Sequence, residues 1–129
     1  MHGGVYRMSG GRIGSRLGGL PHLLLTTVGR KSGRPRTVPL AYMEDGEAWV
    51  LVASNGGADH HPAWWLNLCE TPHAHVQLGA DEYDVIAVDA EGAEYDRLWR
   101  TLKLFNPFYA QYEQITNRRI PVVILQRAV

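Results

Sequence analysis

Three runs rich in Leu, Thr and Val occupy the first half of the chain, at 22–29, 36–43 and 48–55. Only short connections separate them: Gly29 and Gly33 with Pro35 in the first gap, and "EDGE" (44–47) with its Asp45-Gly46 pair in the second. Parallel pairing needs a crossover of about a dozen residues or more, usually a helix, and these gaps leave no room for one. The spacing predicts consecutive hairpins and an antiparallel sheet.

The second half adds helices. Gly56-Gly57 ends the third run, Pro62 opens a short helix at 62–70, and Pro72 closes it. Trp64 and Trp65 stand at its start; neighbours on a helix lie about 100° apart, so one of them is expected to face the core and the other not. "HAHVQLG" (73–79) alternates, with Ala74, Val76 and Leu78 on one face and His73, His75 and Gln77 on the other, solvated, face. A turn at Ala80-Asp81 leads to a strand at 82–89. Residues 91–105 carry Tyr95, Leu98, Trp99 and Leu102 at helical spacing. "NPFYAQYEQ" (106–114) is a loop entering a second short helix, and 120–126 is a final buried strand. Six short strands, mostly hairpin-linked, predict a mainly β fold, a small antiparallel barrel covered by helices. It forms one domain over 21–129, preceded by an irregular glycine-rich lead-in over 1–20 with a short helix around Ile13–Leu17.

The chain of 129 residues is neutral overall, with 13 basic and 13 acidic residues. Residues 1–43 nevertheless hold seven bases and no acid, while the remainder holds six bases and all thirteen acids, a split of +7 against −7. Four of those bases, Arg30, Lys31, Arg34 and Arg36, crowd the first hairpin loop beside Gly29 and Gly33. Arginine forks and turn N–H groups together make an anion cradle. The charges alone do not say whether the anion is a nucleic acid, a lipid surface or a small polyanion.

The usual catalytic arrangements are missing. Arg30 stands before Lys31 where a nucleotide-triphosphate loop requires glycine, no GxGxxG opens a helix, and no GxSxG presents a serine. No pair of carboxylates sits in an apolar setting. His73 and His75, with His60-His61, read as a solvated strand face and a helix entry, so no metal is expected. Cys69, the single cysteine, reads as a small buried hydrophobe; it excludes an internal disulfide and suits a reducing cytoplasm. No run approaches the ~20 apolar residues of a membrane helix, and no signal peptide is expected at the arginine-bearing N-terminus.

"LLLTTVGRKSGRPRTVPL", "VASNGGADHHPAWWLNL" and "NPFYAQYEQITNRRIPVVIL" together resemble, in order and spacing, the deazaflavin-dependent nitroreductase and quinone reductase family. The resemblance runs from about Gly10 to the C-terminus. It implies an actinobacterial split β-barrel that uses the reduced deazaflavin coenzyme F420, a flat tricycle with a phosphate and an oligoglutamate tail. Arg30, Lys31, Ser32 and Arg36 would hold the phosphate and tail. Thr37, Val38, Pro39, Leu40 and Ala41 would line one side of the coenzyme, and Val52, Ala53, Ser54 and Asn55 would run along its ring. Ala63, Trp64, Trp65, Leu66 and Asn67 would close the site, and Tyr109 and Tyr112 would stand over the open face where the acceptor lies. The implied reaction is hydride transfer to an electron-poor quinone, enone or nitro compound, with the coenzyme supplying the reactivity. Asn55 stands where quinone-reducing members often have lysine, Ala41 and Asn106 where they have aromatics, and Trp65 where tyrosine is frequent. These departures imply a wider, differently shaped acceptor pocket.

Two rival readings share the cradle: an FMN-dependent oxidoreductase of the same fold, and a non-catalytic cofactor carrier. A nucleic-acid module is disfavoured because residues 23–38 contain no aromatic side chain. The expected partner is a small apolar acceptor such as a quinone, met in the cytoplasm with peripheral contact to the inner face of the cell membrane, by a monomer or homodimer.

Overall fold

The computed structural model describes residues 16–17 and 20–128. Among these residues eight strand segments form one antiparallel sheet: β1 (Arg16–Leu17), β2 (Leu20–Val28), β3 (Pro35–Ala41), β4 (Met43–Asp45), β5 (Ala48–Val52), β6 (His73–Leu78), β7 (Asp81–Asp89) and β8 (Val122–Arg127). Across the sheet the order is β3-β2-β6-β7-β8-β5-β4, with β1 a two-residue addition to β2. Seven strands of three residues or more thus replace the six expected. The extra one arises because the run at 36–43 bends at Tyr42. Up to Ala41 it pairs with β2, ending at His22, whereas from Met43 it pairs with β5. The two edge strands are therefore consecutive in the chain, and the bend between them curls the sheet into a split barrel. Tyr42 holds the corner by donating its N–H to the Pro21 carbonyl at 3.1 Å.

Among the described residues three α-helices cover the sheet: α1 (Ala63–Glu70), α2 (Gly92–Phe105) and α3 (Phe108–Ile115). Inside the curl, Leu23, Leu25, Leu51, Val76, Val85, Val123 and Leu125 are fully buried and pack with both tryptophans of α1. Each such side chain contributes about 1.5–3 kcal/mol. The expected split between Trp64 and Trp65 does not hold, since both are 8% exposed. The buried arc of α1 is wide enough to take Trp64, Trp65, Asn67 and Leu68 together. Cys69 falls outside that arc and is exposed, not a buried hydrophobe. A second core lies beneath α2 and α3, where Leu98, Trp99, Leu102 and Tyr109 pack against Val50, Val122 and Ile124. Here the helical spacing of the sequence translates directly into burial.

Smaller departures concern turns and faces. The turn before β7 falls at Gly79-Ala80, one residue early, because Leu78 pairs with Asp81. Gln77, expected in solvent, is fully buried and donates from Nε2 to the Gly79 carbonyl at 3.0 Å. The short helix around Ile13–Leu17 falls largely outside the described residues. Its last two, Arg16 and Leu17, are extended, because they pair with Pro21 and Leu20.

The connection that positions the site is the 3₁₀ turn Asn55–Gly57, on which α3 rests. Gly57 has φ +86°, and a Cβ there would lie 2.5 Å from the Ile115 Cδ1 and 3.4 Å from the Tyr112 Cα. Gly57→Ala is expected to lower stability by about 1–3 kcal/mol. Urea unfolding checks this, and combining the change with Ile115→Ala should recover the part due to crowding.

Candidate functional site

Two adjoining clefts open between the β2–β3 hairpin loop, the N-terminal end of α1 and the loop after β5. The first, about 410 Å³, is lined by Thr27, Gly29, Arg30, Lys31, Ser32, Arg36, Thr37, Val38, Ala63, Trp64 and Asn67. The second, about 650 Å³, is lined by Arg30, Asn55, Asp59, His60, His61, Pro62, Ala63, Leu66 and Arg118. They meet at Arg30 and Ala63.

The first cleft is built on the hairpin predicted from the sequence. Its loop closes by hydrogen bonds from Gly29 N–H to the Arg34 carbonyl and from Gly33 N–H to the Gly29 carbonyl, both 2.8 Å. A Cβ on Gly29 would lie 2.9 Å from Ser32 Oγ and 3.0 Å from the Arg34 oxygen, so the loop is tight enough to require glycine there. Ser32 Oγ accepts from Arg34 N–H at 3.1 Å and from Arg36 Nη2 at 3.4 Å. At the hairpin's base, the hydroxyls of Thr26 and Thr37 bond each other at 2.7 Å.

The loop is tied to α1 by one buried amide. Asn67, 3% exposed, accepts at Oδ1 from both the backbone N–H and the Nη1 of Arg30, each 3.1 Å away. Its Nδ2 donates to Thr27 Oγ1, also at 3.1 Å. Asn67 therefore uses its oxygen to position Arg30 and its amide N–H to anchor itself on Thr27. Among the described residues, none of Arg30, Lys31, Arg34 and Arg36 forms an ion pair; the carboxylates serve His75, Arg97, Lys103 and Arg119 instead. No acid among the described residues lines the first cleft. A cationic surface free of acids is left facing the opening, with Trp64 as its apolar wall.

The second cleft depends on Arg118. Its Nε donates to the Ala58 carbonyl at 3.0 Å, Nη2 to the Ser54 carbonyl at 2.9 Å, and Nη1 to His61 Nδ1 at 3.1 Å. Burial and the neighbouring guanidinium both hold the His61 pKa below its ordinary value. Asn55 adopts the left-handed conformation, φ +49°, and donates from Nδ2 to the His60 carbonyl at 3.2 Å. Thr116 adds a hydrogen bond to the Ala58 carbonyl at 3.2 Å.

Of the residues singled out in the sequence, Arg30, Lys31, Ser32, Arg36, Thr37, Val38, Ala63, Trp64 and Asn67 come together in the first cleft, and Asn55 and Leu66 in the second. Pro39, Leu40, Ala41, Val52, Ala53, Ser54 and Trp65 line neither; Leu40, Ala53 and Trp65 pack with the barrel core and Val52 against the second one. Tyr109 is 7% exposed in that second core, its ring 6.2 Å from Trp99 and 6.4 Å from the half-buried Tyr112. Burial raises the Tyr109 pKa, a hydrogen bond with Asn106 works the other way, and the phenol stays protonated at neutral pH. Sequence reasoning missed His61 as a cleft residue and Arg118 altogether. The adjacent histidines were visible, but nothing in the sequence joins them to an arginine 57 residues on. Among the described residues no group of His, Cys, Asp or Glu is arranged to hold a metal.

Asn67→Ala would leave the Arg30 N–H and the Thr27 hydroxyl without their partner, and is expected to cost about 1–3 kcal/mol in denaturant unfolding. A change below a few tenths of a kcal/mol would show that the amide does not hold the loop.

Comparison with known proteins agrees with this architecture. Residues 1–127 match the family described as F420H(2)-dependent quinone reductase. An F420H(2)-dependent quinone reductase of Mycobacterium tuberculosis is 40% identical over 131 residues, covering 98% of this chain and 88% of the relative. Among solved structures, an F420-H2 dependent reductase, FDR-A, superposes with a TM-score of 0.75 at 39% identity, over 82% of this chain and 94% of that one. A structure described as a domain-swapped dimer superposes with a TM-score of 0.76 at 35% identity, over 95% and 97%. The hairpin cradle, the curled sheet and the extent of the match agree: this chain belongs to the F420H(2)-dependent quinone reductase family.

Proposed function

We propose that this chain reduces an apolar quinone with hydride drawn from reduced F420. The observation that supports it is the cationic cleft: Arg30, Lys31 and Arg36 of the basic loop line it, held from behind by Asn67, with no carboxylate among the described residues neutralising them. Such a surface fits a phosphate and a run of carboxylates, since bidentate guanidinium contacts and the Ser32 hydroxyl supply the matching donors. The donor set present thus suits the coenzyme's anionic end, with Arg30, Lys31, Ser32 and Arg36 as its holders. Thr37, Val38 and Trp64 offer a flat, largely apolar wall for the ring. When bound, F420H2 supplies the hydride, and the protein's own task is orientation and exclusion of water.

In this reading Ala63 stands where the two clefts join, with Asn55 in the second, next to the place where donor and acceptor must meet. Tyr112, half-buried beside Gly57, is the tyrosine we place toward the acceptor, with Tyr109 supporting it from the core. No helix among the described residues is long and apolar enough to cross a membrane. A quinone dissolved in a bilayer would be met by peripheral association at the inner face, with the protein otherwise cytoplasmic. Self-association as a homodimer is proposed from the domain-swapped relative alone.

F420 fluorescence titrations test the assignment. Lys31→Ala and Arg36→Ala are each expected to weaken binding by about 10- to 150-fold, the loss of one charge-assisted contact. FMN titrated in parallel is expected to bind far more weakly. Unchanged F420 affinity in both variants would remove the cradle assignment, and yellow, flavin-loaded protein on purification would favour FMN.

A further inference from the structure

Arg118 stands just before β8 and holds a loop that is distant from it in sequence. Its Nε donates to the Ala58 carbonyl at 3.0 Å and its Nη2 to the Ser54 carbonyl at 2.9 Å, so one planar fork grips both ends of the Asn55–Gly57 turn. Nη1 reaches His61 Nδ1 at 3.1 Å and the Arg119 carbonyl at 3.4 Å. A guanidinium has donors only, so His61 Nδ1 accepts and the imidazole carries its proton on Nε2. These contacts occupy nearly every N–H of the fork, and among the described residues Arg118 forms no ion pair. Thr116 adds a bond from Oγ1 to the same Ala58 carbonyl at 3.2 Å. Within the turn, Gly57 N–H bonds the Ser54 carbonyl at 2.9 Å and Ala58 N–H the Asn55 carbonyl at 3.1 Å.

The loop so held is cleft wall. Asn55, Asp59, His60 and His61 all line the second cleft, and Pro62 leads straight into Ala63, where the two clefts join. Arg118 lines that cleft too, but with its fork taken up it acts through the loop. The cationic grip lies on the other side of the junction, in the β2–β3 hairpin. We infer that Arg118 is a positioning residue: its fork sets the loop 54–61 and, through it, the junction at which the hydride donor and its acceptor are aligned. The inference rests on the F420 reading above and divides the labour, with the hairpin cations supplying affinity and Arg118 supplying alignment. Alignment matters steeply, since a displacement of about 1 Å can slow a reaction about 100-fold. Lysine cannot substitute, because an ammonium on a flexible stem does not present a rigid fork to two carbonyls and an imidazole at once.

Steady-state kinetics with F420H2 and menadione separate the two roles. Arg118→Lys is expected to lower kcat about 10- to 100-fold, with F420 affinity within about threefold of wild type. Arg118→Ala should behave alike, and guanidinium chloride far below denaturing concentrations should restore part of its kcat where sodium chloride does not. A second readout needs no coenzyme. NMR of ¹⁵N-histidine-labelled protein should show His61 as the Nε2–H tautomer in the wild type and as a mixture in Arg118→Ala. Urea unfolding establishes that each variant is folded, and Arg118→Lys carries the test alone should Arg118→Ala not fold. Wild-type kcat in Arg118→Lys would overturn the assignment, as would a loss confined to F420 affinity or a His61 tautomer indifferent to Arg118. Wild-type protein that fails to bind F420, with the tautomer still tied to Arg118, would remove the coenzyme reading and leave the clamp on the loop in place.

Discussion

Crowded like charges push a loop apart, and this fold meets that push from behind with a single buried amide. Asn67 sits on the inner side of α1, takes two N–H groups of Arg30 and gives one to Thr27. Because its oxygen is neutral, it holds the basic loop in place without cancelling any charge. A carboxylate at that position would hold Arg30 more strongly and spoil the cradle for an anion. The loop's own hydrogen bonds, from Gly29 to Arg34 and through Ser32, fix its outline. The unneutralised cations can persist because solvent and ligand, rather than protein, face them.

The rest of the molecule serves as a frame for this arrangement. The bend at Tyr42 brings the sheet's edges together, and the curl places the hairpin loop opposite the start of α1. The second core under α2 and α3 presses on the Asn55–Gly57 turn, while Arg118 ties that turn's carbonyls to the histidine loop. One cleft is thereby cationic and free of acids, the other mixes Arg30, Arg118 and Asp59 with the apolar Pro62, Ala63 and Leu66, and they share a boundary at Arg30 and Ala63. No nucleophile or acid–base triad is required when the cofactor brings the reactive atom.

Much of this was legible in the sequence because it is local. Hairpins with short glycine turns leave antiparallel pairing as the sole option, and the cationic loop is contiguous, so its charge and position could be read directly. The spacing of Leu98, Trp99 and Leu102 likewise announces its buried face. What escaped depends on distance. The switch of partner at Tyr42 is a property of the closed sheet rather than of residues 36–43. The joint burial of Trp64 and Trp65 reflects how deeply α1 sinks into the barrel, which helical periodicity alone does not report. Arg118 meets His61 only once positions 57 apart in sequence have folded together, so neither carried a signal of its role.

The central claim is that the basic hairpin loop exists to grip the acidic end of a hydride-carrying coenzyme. A crystal structure of the complex with F420 tests it most directly. The account predicts phosphate or glutamate oxygens within hydrogen-bond distance of Lys31, Ser32 and Arg36, with Arg30 still on Asn67. Coenzyme lodged away from that loop, with those side chains turned into solvent, would contradict it.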